Sequence, residues 1–138
     1  MTVREVDGLD AIAAAAIREV GVDSVAIFVV APGTADLELG AAAGIEGPPL
    51  DRLVEAVRAP THPIARTMSA PIATFDVAPM APGGPALRSH MPLMVDRAGG
   101  QVAVGVLAVA YEGALDATRR QLLMDLAARA AGAVAASA

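Results

Sequence analysis

The sequence contains no cysteine, no lysine and no tryptophan among its 138 residues. Without cysteine there can be no disulfide, thiolate catalysis, thioether-linked cofactor or metal centre with cysteine ligands. Without lysine there can be no Schiff-base chemistry and no lysine of a phosphate-binding P-loop. All ten basic residues are therefore arginines, and several large classes of enzyme are excluded at once.

Aromatic residues and positive charge are also scarce. The three aromatic rings are Phe28, Phe75 and Tyr111, too few for a base-stacking platform or an aromatic cage. The formal net charge is −5, whereas proteins that contact nucleic-acid phosphates normally do so from a basic patch. We therefore expect no nucleic-acid partner.

Long apolar runs are missing as well. Glycine, proline or a charged residue interrupts each run before it approaches the roughly 20 residues that a bilayer span needs. The first ten residues lack the apolar core of a signal peptide. Because the length suits one domain and 55% of the residues are hydrophobic, we expect residues 1–138 to form a single soluble, cytoplasmic domain without a membrane partner.

Both ends of the chain are predicted to form amphipathic helices, because apolar residues recur there at intervals of three and four. The first helix is expected to run from a capping box of Thr2 and Glu5 to residue 20, with Gly8 weakening its early part, so that residues 10–20 form its main part. Gly21 stands where a C-cap glycine is favoured. The last helix is expected to begin after Asp116, whose side chain suits an N-cap.

The middle of the chain is predicted to supply strands and two short helices. Pro48 and Pro49 favour the start of one helix, and Thr61 can cap the other, with Pro63 in its first turn. The predicted strands are residues 24–31, 37–44, 71–77 and one strand on each side of a turn at 98–100. Because these strands follow one another in hairpins, we expect an α+β fold with an antiparallel sheet.

One predicted strand, LRSHMPLMV from residue 87, contains an arginine, a histidine and a proline. Because side chains alternate along a strand, Arg88 and His90 share a face and lie about 7 Å apart. If that face lines a pocket, the two can clamp a carboxylate or phosphate, Arg88 as a bidentate donor and His90 as a donor that changes charge with pH. The alternative is that both point to solvent at the start of an edge strand.

Four segments in order resemble the GAF domain, a small-molecule-sensing relative of the PAS domain. They are EVGVDSVAIFVV, LELGAAAGI, HPIARTMSAPIATFDV and SHMPLMVDRAGGQVAVGVLAVA, and the closing helix follows them. The third and fourth segments carry most of the resemblance: a short helix runs into a proline-led strand, followed by a PL strand, a polar turn and a VGVL strand. The resemblance covers nearly the whole chain.

The resemblance implies a profilin-like central antiparallel sheet of five or six strands, with the terminal helices on one face. The short helices and loops would cover the other face and enclose a pocket. The candidate ligand-binding residues are then Arg88, His90, Thr74, Phe75 and His62, with Asp76 and Arg66 as further candidates. Phe75 can equally be a core residue, and His62 a surface residue at a helix start.

The specialised branches of the family fit this sequence poorly. A bilin needs a cysteine for its thioether, and so does the methionine-sulfoxide reductase with this fold. The motif of the cyclic-nucleotide members begins with asparagine, which the chain lacks. Haem is disfavoured because three aromatic rings cannot pack around it, and no spacing motif supports a metal at His62 and His90. We expect no cofactor and no metal.

Two functions remain open. The first is a non-catalytic sensor domain that binds a small anionic or apolar metabolite and moves the loop 78–86 and the terminal helices. The second is a ligand-free dimerisation module whose pocket is filled by methionine side chains, namely Met68, Met80, Met91 and Met94. A homodimer through the terminal helices is expected in either case. The small residues Ala127, Ala131 and Ala135 lie either in that interface or against the first helix.

Overall fold

The computed structural model describes residues 3–31, 33–78 and 87–137, which form a five-stranded antiparallel sheet with helices on both faces. The strands are β1 (Ser24–Val30), β2 (Leu37–Ala43), β3 (Thr74–Val77), β4 (Leu87–Arg97) and β5 (Gly100–Tyr111), in the spatial order β2-β1-β5-β4-β3. The helices are α1 (Leu9–Ala15), α2 (Gly47–Ala56), α3 (Pro63–Ser69) and α4 (Ala117–Ala136). The α+β prediction is confirmed, whereas Thr2, Met80 and residues 79–86 lie outside the described residues.

The terminal helices α1 and α4 cover one face of the sheet, as predicted. Alternate residues of the central strands point into this larger core because side chains alternate along a strand. Its fully buried members include Leu9, Ile27, Met91, Leu93, Leu107 and Leu123. Each such side chain contributes about 1.5–3 kcal/mol by leaving water, so this layer holds most of the apolar energy of the fold.

The short helices α2 and α3 cover the opposite face. A second, smaller core lies beneath them and consists of Ala26, Phe28, Leu39, Leu50, Val57, Ile64, Val106 and Ala108. Helix α2 has Pro48 and Pro49 in its first turn, as predicted, and presents Leu50 to this core. The second face therefore has fewer large side chains, and it is the face on which the predicted pocket would lie.

The first helix begins later than its apolar pattern predicts. Val3 forms an isolated bridge with Leu39, and the backbone N–H of Arg4 donates to the Leu39 carbonyl at 2.8 Å. The N-terminal segment therefore pairs with the edge of β2 through its backbone. Because it pairs in this way, it does not form a helical capping turn at Glu5. After α1, the helix continues as a π-helical turn to Val20 and ends at Gly21 in the left-handed conformation, as expected.

Strands β4 and β5 form the longest hairpin, with its turn at the predicted position. Within β5, Gly105 lies where the backbone of β1 approaches most closely. A Cβ atom at Gly105 would lie 2.2 Å from the carbonyl oxygen of Phe28 and 3.0 Å from Leu93. Glycine is therefore required by the neighbouring strand.

Helix α4 begins as predicted, since the Asp116 carboxylate accepts from the Arg119 backbone N–H at 2.8 Å. Ala127 and Ala131 are buried in the larger core, whereas Ala135 is exposed. The first two alanines therefore form the inner seam of the helix, not a face open to another chain. None of the helices in the described residues is long and apolar enough to cross a membrane.

Candidate functional site

The start of α3 places His62 against the second face of the sheet. Its Nδ1 accepts a hydrogen bond from the backbone N–H of Ile64 at 3.1 Å, which makes His62, not Thr61, the N-cap residue. Pro63 has no N–H to offer, so Ile64 supplies the first amide that a cap can satisfy. An accepting Nδ1 leaves the proton of a neutral ring on Nε2.

His90 lies in the interior of the sheet. Strand β4 runs between β5 and β3, where His90 pairs with Ala108 on one side and Thr74 on the other. Only 3% of His90 is exposed, so the alternative in which it points to solvent from an edge strand is wrong. Among the described residues, no side chain or backbone group hydrogen-bonds to its ring.

Arg88, His90 and His62 act on one another electrostatically. Burial, together with the smaller electrostatic effects of His62 and Arg88, lowers the pKa of His90 to about 4. Burial and Arg88 likewise lower the pKa of His62. Both rings are therefore neutral near pH 7, and Arg88 supplies the fixed charge of this group, called here the basic cluster.

No ion pair within the described residues involves Arg88. Its guanidinium offers five N–H donors in a planar fork that matches a carboxylate or phosphate. The two neutral imidazoles can each donate one further hydrogen bond, and protonation would add a second donor to either ring. The chemistry of the basic cluster therefore suits a small oxyanion.

Thr74 joins this cluster and Phe75 does not. Thr74 lies directly opposite His90 in the β3–β4 pair, so the two side chains share a face. Phe75 points to the other face, where it packs against the larger core and the Arg120 guanidinium lies 5.1 Å from its ring centroid. The prediction that Phe75 shares a pocket with Arg88 and His90 is not met by this geometry.

Asp76 also faces the terminal helices instead of the predicted pocket. Its Oδ1 accepts from the Tyr111 hydroxyl at 2.7 Å and from the Leu115 backbone N–H at 3.1 Å. Its Oδ2 forms an ion pair with Arg120. Sequence patterns do not identify this group, because its members lie 35 to 44 residues apart from Asp76 along the chain.

The electrostatics of Asp76 follow from these contacts. Burial by itself would raise the pKa of the carboxyl group, but the hydrogen bonds from Tyr111, Leu115 and Arg120 and the Arg120 charge outweigh it and lower the pKa. Burial and the Asp76 carboxylate raise the pKa of Tyr111, against a lowering by its hydrogen bond to Ser89. Asp76 is thus a carboxylate and Tyr111 a neutral donor at neutral pH.

Two surface clefts occur elsewhere on the described residues. One, of about 510 Å³, lies between the end of β2 and the start of α2, and the other, of about 370 Å³, lies on the first turns of α4. Neither is lined by the basic cluster. Across the described part of the chain, no three histidine, aspartate or glutamate side chains are grouped so as to hold a metal ion.

The fold is shared with several solved structures. The GAF domain of an Acinetobacter phosphoenolpyruvate-protein phosphotransferase is similar over 95% of this chain and 82% of its own, with a TM-score of 0.71 and 17% identity. The second GAF domain of DevS from Mycobacterium smegmatis is similar over 93% of this chain and 92% of its own, with a TM-score of 0.66 and 23% identity.

An enzyme has a similar structure as well. The type II free methionine-R-sulfoxide reductase from Thermoplasma acidophilum is similar over 91% of this chain and 89% of its own, with a TM-score of 0.64 and 13% identity. No protein-family model and no curated protein sequence matches the chain. The order of the strands, the placement of the helices and these similarities agree: the chain has the fold of a GAF domain.

Proposed function

We propose that this chain is a non-catalytic, small-molecule-binding regulatory domain whose ligand is a small carboxylate or phosphate anion. The observation that carries the proposal is the basic cluster of Arg88, His90 and His62 on the α3 side of the sheet. Among the described residues Arg88 has no ion-pair partner, and the two neutral imidazoles beside it can donate further hydrogen bonds. A bound oxyanion would supply that partner and would balance the Arg88 charge.

The fold supports a sensing role. GAF domains are sensing and regulatory modules, and this chain resembles them over nearly its whole length. The similar reductase means that the fold alone does not decide against catalysis. We propose a non-catalytic role because the sequence has no cysteine or lysine nucleophile, and because the hydroxyl of Ser89, beside Asp76, is fully buried.

The ligand-free dimerisation module is the second candidate function, and its support is reduced. Met91 is buried in the larger core beneath α1 and α4, so it cannot fill a pocket on the other face. Met68 does pack against the smaller core, as that function requires. Of the three predicted methionines that the structure describes, Met68 alone packs against that core, and it leaves the basic cluster unexplained, which favours the sensor domain.

We also propose a homodimer through the terminal helices, with a different face of α4 from the one expected. Met124, Ala128 and Gly132 are exposed at four-residue intervals, so they line one side of the helix. Asp125 and Arg129 flank them, and an antiparallel copy of α4 could pair each with the other. A cytoplasmic location and the absence of nucleic-acid and membrane partners remain predictions.

Thermal unfolding against a panel of anions tests the sensor role. The panel contains inorganic phosphate, sulfate, acetate and succinate, with glucose as a non-anionic comparison. A ligand at a hundred times its dissociation constant adds about 2.7 kcal/mol. We expect the unfolding midpoint to rise by roughly 5–10 °C for at least one anion.

Arg88→Gln should abolish that rise, whereas Arg97→Gln should retain it, because Arg97 lies on the same strand at the exposed hairpin turn. An equal rise in both variants would remove the basic cluster from the site. No rise with any compound, in a chain that is dimeric, would favour the dimerisation module.

A further inference from the structure

We propose that Asp76 is a latch that joins the edge strand β3 to the start of α4, so that a displacement of β3 is transmitted to the terminal helix. The inference rests on the proposed function in one respect, namely that a ligand bound at the basic cluster is what would displace β3. The latch itself is a property of the contacts that Asp76 makes within the chain.

Asp76 contacts three other elements. Its backbone N–H donates to the hydroxyls of Tyr111 on β5 at 3.0 Å and of Ser89 on β4 at 3.3 Å. Its carboxylate accepts from Tyr111, from the Leu115 amide just before α4, and from Arg120 in the second turn of α4. One short side chain therefore connects the edge of the sheet to the helix.

The backbone of Asp76 has an uncommon conformation that the contacts of the latch hold in place. Its φ of 56° is the only positive φ at a non-glycine residue among the described residues. Such a conformation is disfavoured for aspartate and persists when surrounding contacts hold it. The β3–β4 register is also irregular between Thr74 and Val77, on either side of Asp76. Loss of the carboxylate contacts would therefore release both the strained residue and the irregular pairing.

The same short strand carries part of the basic cluster. Thr74, which lies two residues before Asp76, pairs with His90. Val77, which lies one residue after Asp76, pairs with Arg88. Phe75, between Thr74 and Asp76, receives the guanidinium of Arg120 over its ring. A shift of β3 beside His90 would therefore move Phe75 and Asp76, which contact Arg120 in the first turns of α4.

Hydrogen exchange of the ligand-free protein tests the latch without any ligand. In Asp76→Gly, glycine accepts the positive φ, so the variant removes the carboxylate without adding backbone strain. Charged hydrogen bonds are strong enough that we expect exchange to become about ten- to a hundredfold faster at residues 117–123 and 74–77. Strands β1 and β2 should be unchanged, and Arg120→Gln should reproduce the pattern.

Arg119→Gln is the matched control, because the one ion pair that Arg119 forms with the described residues is to the exposed Asp116 of its own helix turn. Unchanged exchange at residues 117–123 in Asp76→Gly would overturn the latch. A uniform increase over the whole sheet would also overturn it, since that pattern indicates general destabilisation.

Transmission is tested by a second substitution at the basic cluster. His90→Ala should accelerate exchange at residues 117–123 in the wild-type background and add little in the Asp76→Gly background, because the connection is already broken. Equal acceleration in both backgrounds would show that the coupling runs elsewhere. Neither measurement needs an anion, so failure of the latch and failure of the proposed function are separable outcomes.

Discussion

The Tyr111 hydroxyl lies 2.7 Å from Oδ1 of Asp76, although 35 residues separate the two along the chain. Tyr111 ends the central strand β5 and is only 3% exposed, while Asp76 lies on the short edge strand β3. A central strand thereby holds an edge strand through a side chain as well as through the ladder of β4 between them. This contact sets the position of β3, and with it one wall of the basic cluster.

Tyr111→Phe should destabilise the fold. The substitution leaves Asp76 and Ser89 without a hydroxyl partner in a buried setting, which typically costs about 1–3 kcal/mol. Urea unfolding measures the free energy directly. Thr34→Ala is the control, because the hydrogen bonds of the Thr34 hydroxyl to described residues lie within a largely exposed turn. Equal free energies of unfolding for the two variants would contradict the role assigned to Tyr111.

The stability of the protein should fall as the pH is lowered from about 7.5 to 5.5. The pKa of His90 is about 4 in the folded chain and about 6.5 in the unfolded chain, so the unfolded chain binds the proton first. Protons therefore favour unfolding in this window, by at most about 1.4 kcal/mol per pH unit for one group.

His90→Gln should flatten this dependence more than His62→Gln, because the pKa of His90 is the one lowered to about 4. Urea unfolding at pH 5.5, 6.5 and 7.5 keeps the carboxylates ionised and isolates the histidines. Identical slopes in the wild type and His90→Gln would show that the buried ring is not the source.

Anion binding should strengthen over the same pH range. An anion beside His90 favours the protonated ring, so binding takes up a proton and tightens as the pH falls, by at most about tenfold per pH unit. Sulfate is a suitable probe because its own charge is constant between pH 5.5 and 7.5. Calorimetric titration should show this trend in the wild type and lose it in His90→Gln; a constant sulfate affinity in the wild type would argue against His90 as a contact.

Two glycines should respond to alanine in opposite directions. Gly105→Ala should destabilise the fold, since the added Cβ would lie 2.2 Å from the Phe28 carbonyl oxygen. Relieving this clash requires the backbone of β1 or β5 to move, which costs free energy. Gly132→Ala should stabilise the fold of the single chain by about 1 kcal/mol, because no atom of the described residues lies within 4 Å of the added Cβ and alanine favours the interior of α4. Thermal unfolding of both variants checks the signs, and a neutral Gly105→Ala would contradict the close strand contact.

Ala128→Glu should convert a dimer into a monomer. The substitution adds a charge to the centre of the exposed small-residue face of α4, where a second helix would approach closely. Ala59→Glu, at an exposed position after α2, should leave the dimer intact. Sedimentation equilibrium distinguishes the two, and a wild type that is monomeric throughout would remove this interface.

Much of the architecture could be predicted from local patterns. Apolar residues at intervals of three and four gave both terminal helices, and alternation in β4 placed Arg88 and His90 on one face. The N-cap at Asp116 and the left-handed Gly21 were predictable for the same reason: each depends on a few neighbouring residues. The start of α1 was not, because its preceding segment pairs with the edge of β2.

The sequence by itself determined the excluded chemistry, the order of helices and strands, and the basic character of residues 88–90. Only the tertiary structure decided that His90 is buried between two strands, that His62 caps α3 near it, and that Phe75 and Asp76 face the terminal helices. The physical reason is the distance along the chain over which each property is determined. Composition and periodicity are local properties, whereas burial, the pKa of a buried ring and the partners of a carboxylate depend on strands that meet only when the sheet has formed.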